Sequence, residues 1–341
     1  MSRFKNLARL GLVSISKLMG LSVLKGLAGR NLYVVNYHSI AGADDDPYIN
    51  QNTYRTVAEF EEDLLFYKSR FKILSAVDLI GLKRNGNEIP KDAVIITFDD
   101  GLRINFDYQV PILKKHGITA TFFLCSDFVD NRDLHFGRKS NLLRQSIEKC
   151  DDKELYGRVR DYLADHKLFS ENLDRSLAEI RYSDKMHLEE IAKLVGVDFQ
   201  DHLSRFRPYL DSTQIREMID SGFTVGAHSV DHPRYSELTL EDQVGQTVNS
   251  LRHIIEQFSL DYRLFAFPYS DDSLDPAFYD MIASKVDLAF GMGGFVKDTT
   301  SPNIQRADIE STALPVAEAF GYRLLLGCIH NLRRPRHPSG S

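Results

Sequence analysis

Residues 94–101 read VIITFDDG. The run Val94–Phe98 has the β-branched and aromatic composition of a strand buried on both faces, and glycine supplies the turn that ends it. Two adjacent carboxylates, Asp99 and Asp100, stand where that core strand stops. Like charges this close resist joint ionisation. A cation therefore belongs beside them, or one carboxylate is poised to take up a proton.

Outward from this stretch, further strand signals fall at residues 32–37, 118–124, 223–228, 264–268 and 287–291, with helical pattern between them. Residues 57–71 place Phe60, Leu64 and Phe71 near one helical face, and residues 211–222 open on an N-cap aspartate and close on glycine. Strand–helix alternation of this kind predicts an α/β fold with a largely parallel sheet. Residues 131–207 carry no strand pattern and much charged helical pattern. They read as a helical insertion over the rim where the strands end, serving as a lid or as a solvated excursion.

With 341 residues the chain suffices for one large barrel or two ordinary domains. A net charge of −6 and an isoelectric point near 6.0 argue against nucleic-acid binding. Three dispersed cysteines form no CxxC pair and no disulfide framework, so reduced cytoplasm is the expected compartment. Residues 1–30 differ from the rest: they hold six Lys or Arg and no acid. Lys17 and Lys25 cut their apolar run into pieces far short of the ~20 residues a spanning helix needs. The segment reads as a basic amphipathic helix, either lying on an anionic inner leaflet through residues 1–28 or packed on the fold; an export signal is the less favoured reading. Residues 31–310 would form the main domain, and 311–341 a C-terminal helix and basic tail.

Three motifs each sit where an apolar strand stops, the position at which (β/α) barrels gather catalytic groups. They are TFDDG (97–101), GAHSVDHP (226–233) and FAFPYS (265–270). His228 and His232 are spaced i, i+4, so a helical turn would point both imidazoles one way. With one carboxylate they compose a two-histidine, one-aspartate set that leaves positions open for water and substrate. One aspartate is then neutralised by a divalent metal, and the other stays ionised as a base. Ser229 and Asp231, inside the same loop, are candidate partners of the histidines.

TFDDG, HSVDH and FAFPYS, in this order, resemble the polysaccharide deacetylases, the NodB-homology or carbohydrate esterase family 4 group. The resemblance runs over roughly residues 31–310 outside the insertion. It implies a distorted (β/α)7 barrel and metal-dependent hydrolysis of the N-acetyl group of an amino sugar. On that pattern Asp100, His228 and His232 would ligate the metal and Asp99 would be the general base. The backbone N–H of Tyr269 would help hold the oxyanion.

Two departures matter. Many members carry an arginine just before the Pro-Tyr pair; here Ala266 and Phe267 stand there, and Arg306 is the candidate replacement from another strand end. Many members also take their general acid from a late Leu-x-His motif. His330 is the nearest equivalent, but His38, which ends the strand 32–37, is favoured by similarity to a subgroup with an N-terminal catalytic histidine. Zinc is the first expectation for such a donor set, with iron, cobalt, nickel and manganese also suited. The expected partner is an N-acetylated amino-sugar glycan, polymeric or lipid-linked, met in the cytoplasm or on the inner membrane face. Competing readings are a non-catalytic carbohydrate-binding protein on the same barrel, or a deformylase or amidase with a different substrate.

Overall fold

The structure is a computed structural model that describes residues 3–40, 55–272, 274–296 and 302–333. Among the described residues nine strands lie in chain order: β1 Leu32–Tyr37, β2 Lys72–Ile73, β3 Ala93–Phe98, β4 Thr121–Leu124, β5 Thr224–Ala227, β6 Leu264–Ala266, β7 Leu288–Gly291, β8 Asn303–Gln305 and β9 Ala307–Asp308. All their pairings are parallel, in the order β8-β7-β6-β5-β4-β3-β1-β9, with β2 against the first residues of β3. β8 pairs with β7 while β9 pairs with β1, and only Arg306 separates β8 from β9. The chain itself therefore carries the sheet across its seam, giving a nearly closed barrel of seven staves if β8 and β9 count as one.

Strand alternation sorts the side chains. Val35, Tyr37, Ile96 and Phe98 point outward into the large core under the helices. Leu32, Val34, Ala93, Ile95, Phe123, Leu264, Phe290 and Ile304 fill the barrel interior. Continued upward with period two, those inward columns reach Asn36 on β1 and His38 just after it, Thr97 on β3 and Asp99 just after it, His228 after β5, and Arg306 after Ile304. The bottom of the barrel is apolar, and its mouth carries the ionisable groups.

The helices are α1 Arg3–Met19, α2 Leu21–Ala28, α3 Val57–Arg70, α4 Ala76–Arg84, α5 Val110–His116, α6 Phe136–Glu148, α7 Lys153–Asp165, α8 Leu173–Ala178, α9 Met186–Val195, α10 Phe199–Phe206, α11 Ser212–Asp220, α12 Leu240–Phe258, α13 Pro276–Ile282 and α14 Val316–Arg333. Capping boxes start α3 (Thr56, Glu59), α4 (Ser75, Asp78) and α11 (Asp211, Gln214), each satisfying orphan N–H groups of the first turn. Helices α6–α10 stand between β4 and β5 and bury their own apolar stripe, including Leu143, Leu163, Leu177, Leu188 and Ile191. The segment that leaves them is tied to the barrel mouth, with Leu210 N–H donating to Gly101 O at 2.9 Å and Arg103 N–H to Pro208 O at 2.9 Å.

The N-terminal segment forms two helices rather than one, bent by 97° at Gly20, and both pack on α14. Leu24 and Ala28 are buried there. Its cations turn inward: Lys17 pairs with Glu318, Lys25 with Asp92, and Arg9 and Arg30 donate to the carbonyls of Thr312 and Val296. The exposed side is apolar, with Leu7, Leu10, Leu18, Val23 and Leu27 each more than half exposed. No single described helix is long and apolar enough to cross a membrane; α1 from Leu7 and α2 meet that test only as a bent pair. Of the basic tail expected over residues 330–341, residues 330–333 continue α14, and residues 334–341 lie outside the described residues.

Candidate active site

The DDG turn is built by sterics. Asp100 and Gly101 both have positive φ, 73° and 64°, and a Cβ on Gly101 would lie 3.0 Å from Leu124 Cδ2. The reversal sends Asp99 down into the barrel and leaves Asp100 at its rim. Ser229 (φ 68°), His232 (φ 63°) and Tyr269 (φ 58°) adopt the same left-handed region. Four of the eleven non-glycine residues in that region among the described residues thus belong to one site, as expected where backbone strain is held for function.

The histidines approach each other without the helical turn that their spacing suggested. Residues 228–232 form an irregular bend in which Ser229 Oγ accepts the His232 N–H at 3.0 Å. The two rings nevertheless lie 4.9 Å apart, centroid to centroid. His228 Nδ1 donates to Ala266 O at 2.8 Å, which leaves Nε2 as the free donor atom. That Nε2 lies 3.6 Å from Asp100 Oδ1, and His232 Nε2 lies 3.2 Å from the same oxygen. Asp100 Oδ1 is buried without a hydrogen bond among the described residues, and one ligand atom from each of the three residues falls within 4.8 Å of the others. An orphaned carboxylate oxygen facing two imidazole nitrogens is a donor set that fits one divalent transition metal. Burial pushes His228 down to about 4 against the pull of Asp99, so the ring is neutral and able to ligate.

Asp99 is only 2% exposed and is gripped on both oxygens. Arg306 binds it in two-pronged fashion, Nη1 to Oδ1 at 2.7 Å and Nη2 to Oδ2 at 2.9 Å, and Asn36 Nδ2 donates to Oδ2 at 3.0 Å. Arg306 is itself fully buried and also donates to Asn36 Oδ1 (2.8 Å) and Thr97 Oγ1 (3.2 Å). Burial opposes a charge on Asp99, but the Arg306 guanidinium overrides it and holds the carboxyl below its usual range. Burial likewise opposes a charge on Asp100, and the imidazoles of His232 and His38 hold it well below that range.

Across the cavity, His38 Nδ1 donates to Glu310 Oε1 at 2.5 Å, and its backbone N–H donates to Oε2 at 3.1 Å. Burial would lower this imidazole, but Glu310 outweighs it and raises it to about 10, so the ring is a cation with Nε2 left for the cavity. His330, exposed near the end of α14, lines a second cavity and is absent from the described lining of the first.

His38, Asp99, Asp100, His228, His232 and Tyr269 line one cavity of about 490 Å³. Among the described residues the Tyr269 N–H meets no acceptor. Its ring rests on His232 at 4.7 Å, and Arg234 lies over it at 4.3 Å. The start of the helical insertion adds His135, Arg138 and Asn141 to the lining. His135 Nδ1 accepts from the Gly137 N–H at 3.2 Å, so its proton sits on Nε2, 3.3 Å from the Tyr269 hydroxyl. Sequence reading missed Asn36, His135 and Glu310. Asn36 and Glu310 could have been found by following the inward columns past the strand ends; His135 carries no comparable signal.

A family model described as "Polysaccharide deacetylase" matches residues 86–280. Two curated poly-β-1,6-N-acetyl-D-glucosamine N-deacetylases are similar over shorter stretches. The one from Staphylococcus epidermidis is 30% identical over 111 residues, covering 30% of this chain and 38% of its own. The one from Staphylococcus aureus strain MSSA476 is 33% identical over 100 residues, covering 29% and 32%. The matched stretch thus spans about a third of either relative's length. Among solved structures, IcaB from Ammonifex degensii superposes with a TM-score of 0.54 at 16% identity, covering 86% of this chain and 97% of that one. The Streptococcus pyogenes deacetylase PplD, in complex with acetate, gives 0.53 at 15% identity, with coverage of 82% and 92%. At these identities the likeness is one of fold.

Proposed function

The chain belongs to the polysaccharide deacetylase family, and on that premise we propose that it is a metal-dependent hydrolase removing N-acetyl groups from an amino-sugar glycan. Asp100, His228 and His232 would hold the metal, with zinc the first candidate. When bound, it would polarise the amide carbonyl and acidify a water. Asp99, kept ionised by Arg306 and Asn36, accepts the proton of the attacking water. The Tyr269 N–H donates to the carbonyl oxygen as the amide carbon becomes tetrahedral, an interaction typically worth ~3 kcal/mol. His38, charged through Glu310, delivers a proton to the departing nitrogen as the C–N bond breaks, leaving acetate and a free amine. The observation that carries this reading is the pairing of a buried, arginine-held Asp99 with an open Asp100–His228–His232 donor set in one cavity.

The test is acetate release by the purified, zinc- or cobalt-loaded chain from β-1,6-linked N-acetylglucosamine oligomers. Activity is expected in the wild type and absent in Asp99→Asn and His232→Ala. A metal-loaded chain that releases no acetate from any N-acetylated sugar would refute the reading; formate release from an N-formyl substrate would shift the specificity to a deformylase.

The same proposal extends to a lipid-linked substrate met at the inner face of the cytoplasmic membrane. Six of the sixteen exposed large hydrophobics among the described residues lie on α1 and α2, within a segment that contains no acid. The helix they pack on, α14, lines the second cavity, which shares Tyr269, Met292 and Asp308 with the first. Flotation with anionic liposomes should be lost in Leu10→Asp/Leu18→Asp. Equal recovery of wild type and variant in the unbound fraction would remove the membrane from the proposal.

A further inference from the structure

The helical insertion reaches the histidine loop through one side chain. Asp231, between His228 and His232, is held on both oxygens by residues from outside its loop. Oδ1 accepts from the Tyr182 hydroxyl at 2.6 Å and from Gln246 Nε2 at 2.9 Å. Oδ2 is paired with the Lys185 ammonium, which also donates to the Tyr182 hydroxyl at 3.0 Å and lies 4.1 Å from the centre of its ring. Gln246, on α12, completes the arrangement by accepting the Val230 N–H at 2.9 Å. Tyr182 and Lys185 form the turn that leads into α9 of the insertion.

The two metal-site histidines are secured differently. His228 Nδ1 is anchored on Ala266 O, whereas His232 Nδ1 is buried with no hydrogen bond among the described residues. The His232 ring is located by contacts with neighbouring rings and by its own backbone, which is in the unfavourable left-handed region, as is Ser229. Such a bend persists only where its surroundings over-determine it. The Ser126 and Asp127 N–H groups tie the Ser229 and Val230 carbonyls at 3.1 and 3.0 Å, and the grip on Asp231 is the side-chain constraint that joins the bend to the insertion.

Resting on the metal-dependent reading above, we infer that Tyr182 and Lys185 are positioning residues for the metal site: through Asp231 they fix the loop that presents His232, and the insertion is thereby a working part of the metal centre. Groups that orient metal ligands typically contribute ~10–100-fold to metal affinity. The test is the affinity for zinc, measured by competition with a chromophoric chelator, together with the visible absorption of the cobalt-loaded protein. Lys185→Met, Tyr182→Phe and Asp231→Asn are expected to weaken zinc binding by roughly 10-fold or more and to alter the cobalt bands. Lys185→Arg should restore most of the affinity. Lys193→Met, an exposed side chain on α9 paired with Glu190, should match the wild type. Near-ultraviolet circular dichroism of the metal-free proteins checks that each variant is folded, and Tyr182→Phe removes a single oxygen should the charge variants fail. Wild-type affinity and cobalt bands in the folded variants would overturn the inference while leaving the metal site standing. A wild type that binds no metal would overturn the reading beneath it.

Discussion

Replacing Arg306 by methionine separates two consequences that a single buried ion pair ties together. Arg306 is fully buried and Asp99 nearly so, with two charge-assisted hydrogen bonds at 2.7 and 2.9 Å between them. Removing one partner of such a pair leaves the other charge buried and alone, at a typical cost of about 3–5 kcal/mol. The same loss acts on proton affinity, because burial already opposes the Asp99 charge and Arg306 is the largest influence overriding it. An adjacent arginine typically lowers a carboxylate by ~1–3 pH units. The acid limb of kcat/KM for acetate release should therefore move to higher pH by about that much in Arg306→Met, with Arg306→Lys between. The stability sign follows. A folded-state pKa below the unfolded value of about 3.9 stabilises above that pH, and the contribution is lost as pH falls through the folded pKa. The stability gap between wild type and variant, read from urea unfolding, should thus be largest near neutrality and shrink in acid, where a neutral Asp99 needs no partner. Zinc titration confirms that the metal site is intact. An unmoved acid limb in a folded, metal-binding variant would refute the assignment of Arg306 as the group that keeps Asp99 ionised.

Glu310→Gln removes the charge that outweighs burial at His38, so the alkaline limb of activity should move to lower pH, while His38→Ala should lower kcat by ~10²–10⁴ at every pH. His38 has a raised folded pKa, so its small contribution to stability is present below about 6.5 and lost as pH rises through about 10. A melting temperature that rises from neutral pH to 10 in the wild type but not in Glu310→Gln would contradict this sign. Gly226→Ala tests the packing beneath the site: its Cβ would fall 2.8 Å from the Phe123 ring and 2.9 Å from the Leu264 carbonyl oxygen, so thermal unfolding should show a loss of about 1–3 kcal/mol. Unchanged melting would mean that the interior of the barrel is looser than the contacts around Phe123 imply.

Much of this site was legible because strand alternation is a one-dimensional signal. Once Ala93–Phe98 is read as a strand, period two carries Ala93, Ile95 and Thr97 directly to Asp99, and on β1 it carries Leu32, Val34 and Asn36 to His38. The same rule runs from Ile304 to Arg306, which the sequence already suggests stands at a strand end, although β8 and β9 have only three and two residues. Their shortness has a physical origin. Each pairs with a different neighbour, so neither accumulates the apolar run that marks a long core strand. The family pattern was equally informative where it failed: the missing arginine before Pro268 demanded another cation at Asp99, and the seam of the barrel supplies one.

What the sequence withheld are contacts that no periodicity links. Glu310 meets His38 across 272 positions, and Lys185 meets Asp231 across 46. The HxxxH spacing suggested a helical turn, whereas the loop achieves its convergence with two left-handed residues and a serine cap. That substitution matters for the insertion. A helical turn would hold both histidines through its own backbone bonds, but an irregular bend has to be held from outside, and the residues that hold this one come from α12 and from the segment between β4 and β5. The strain at Ser229 and His232 and the placement of Tyr182 and Lys185 are thus two sides of one requirement: a loop that presents ligands without regular structure must borrow its rigidity from elements packed against it.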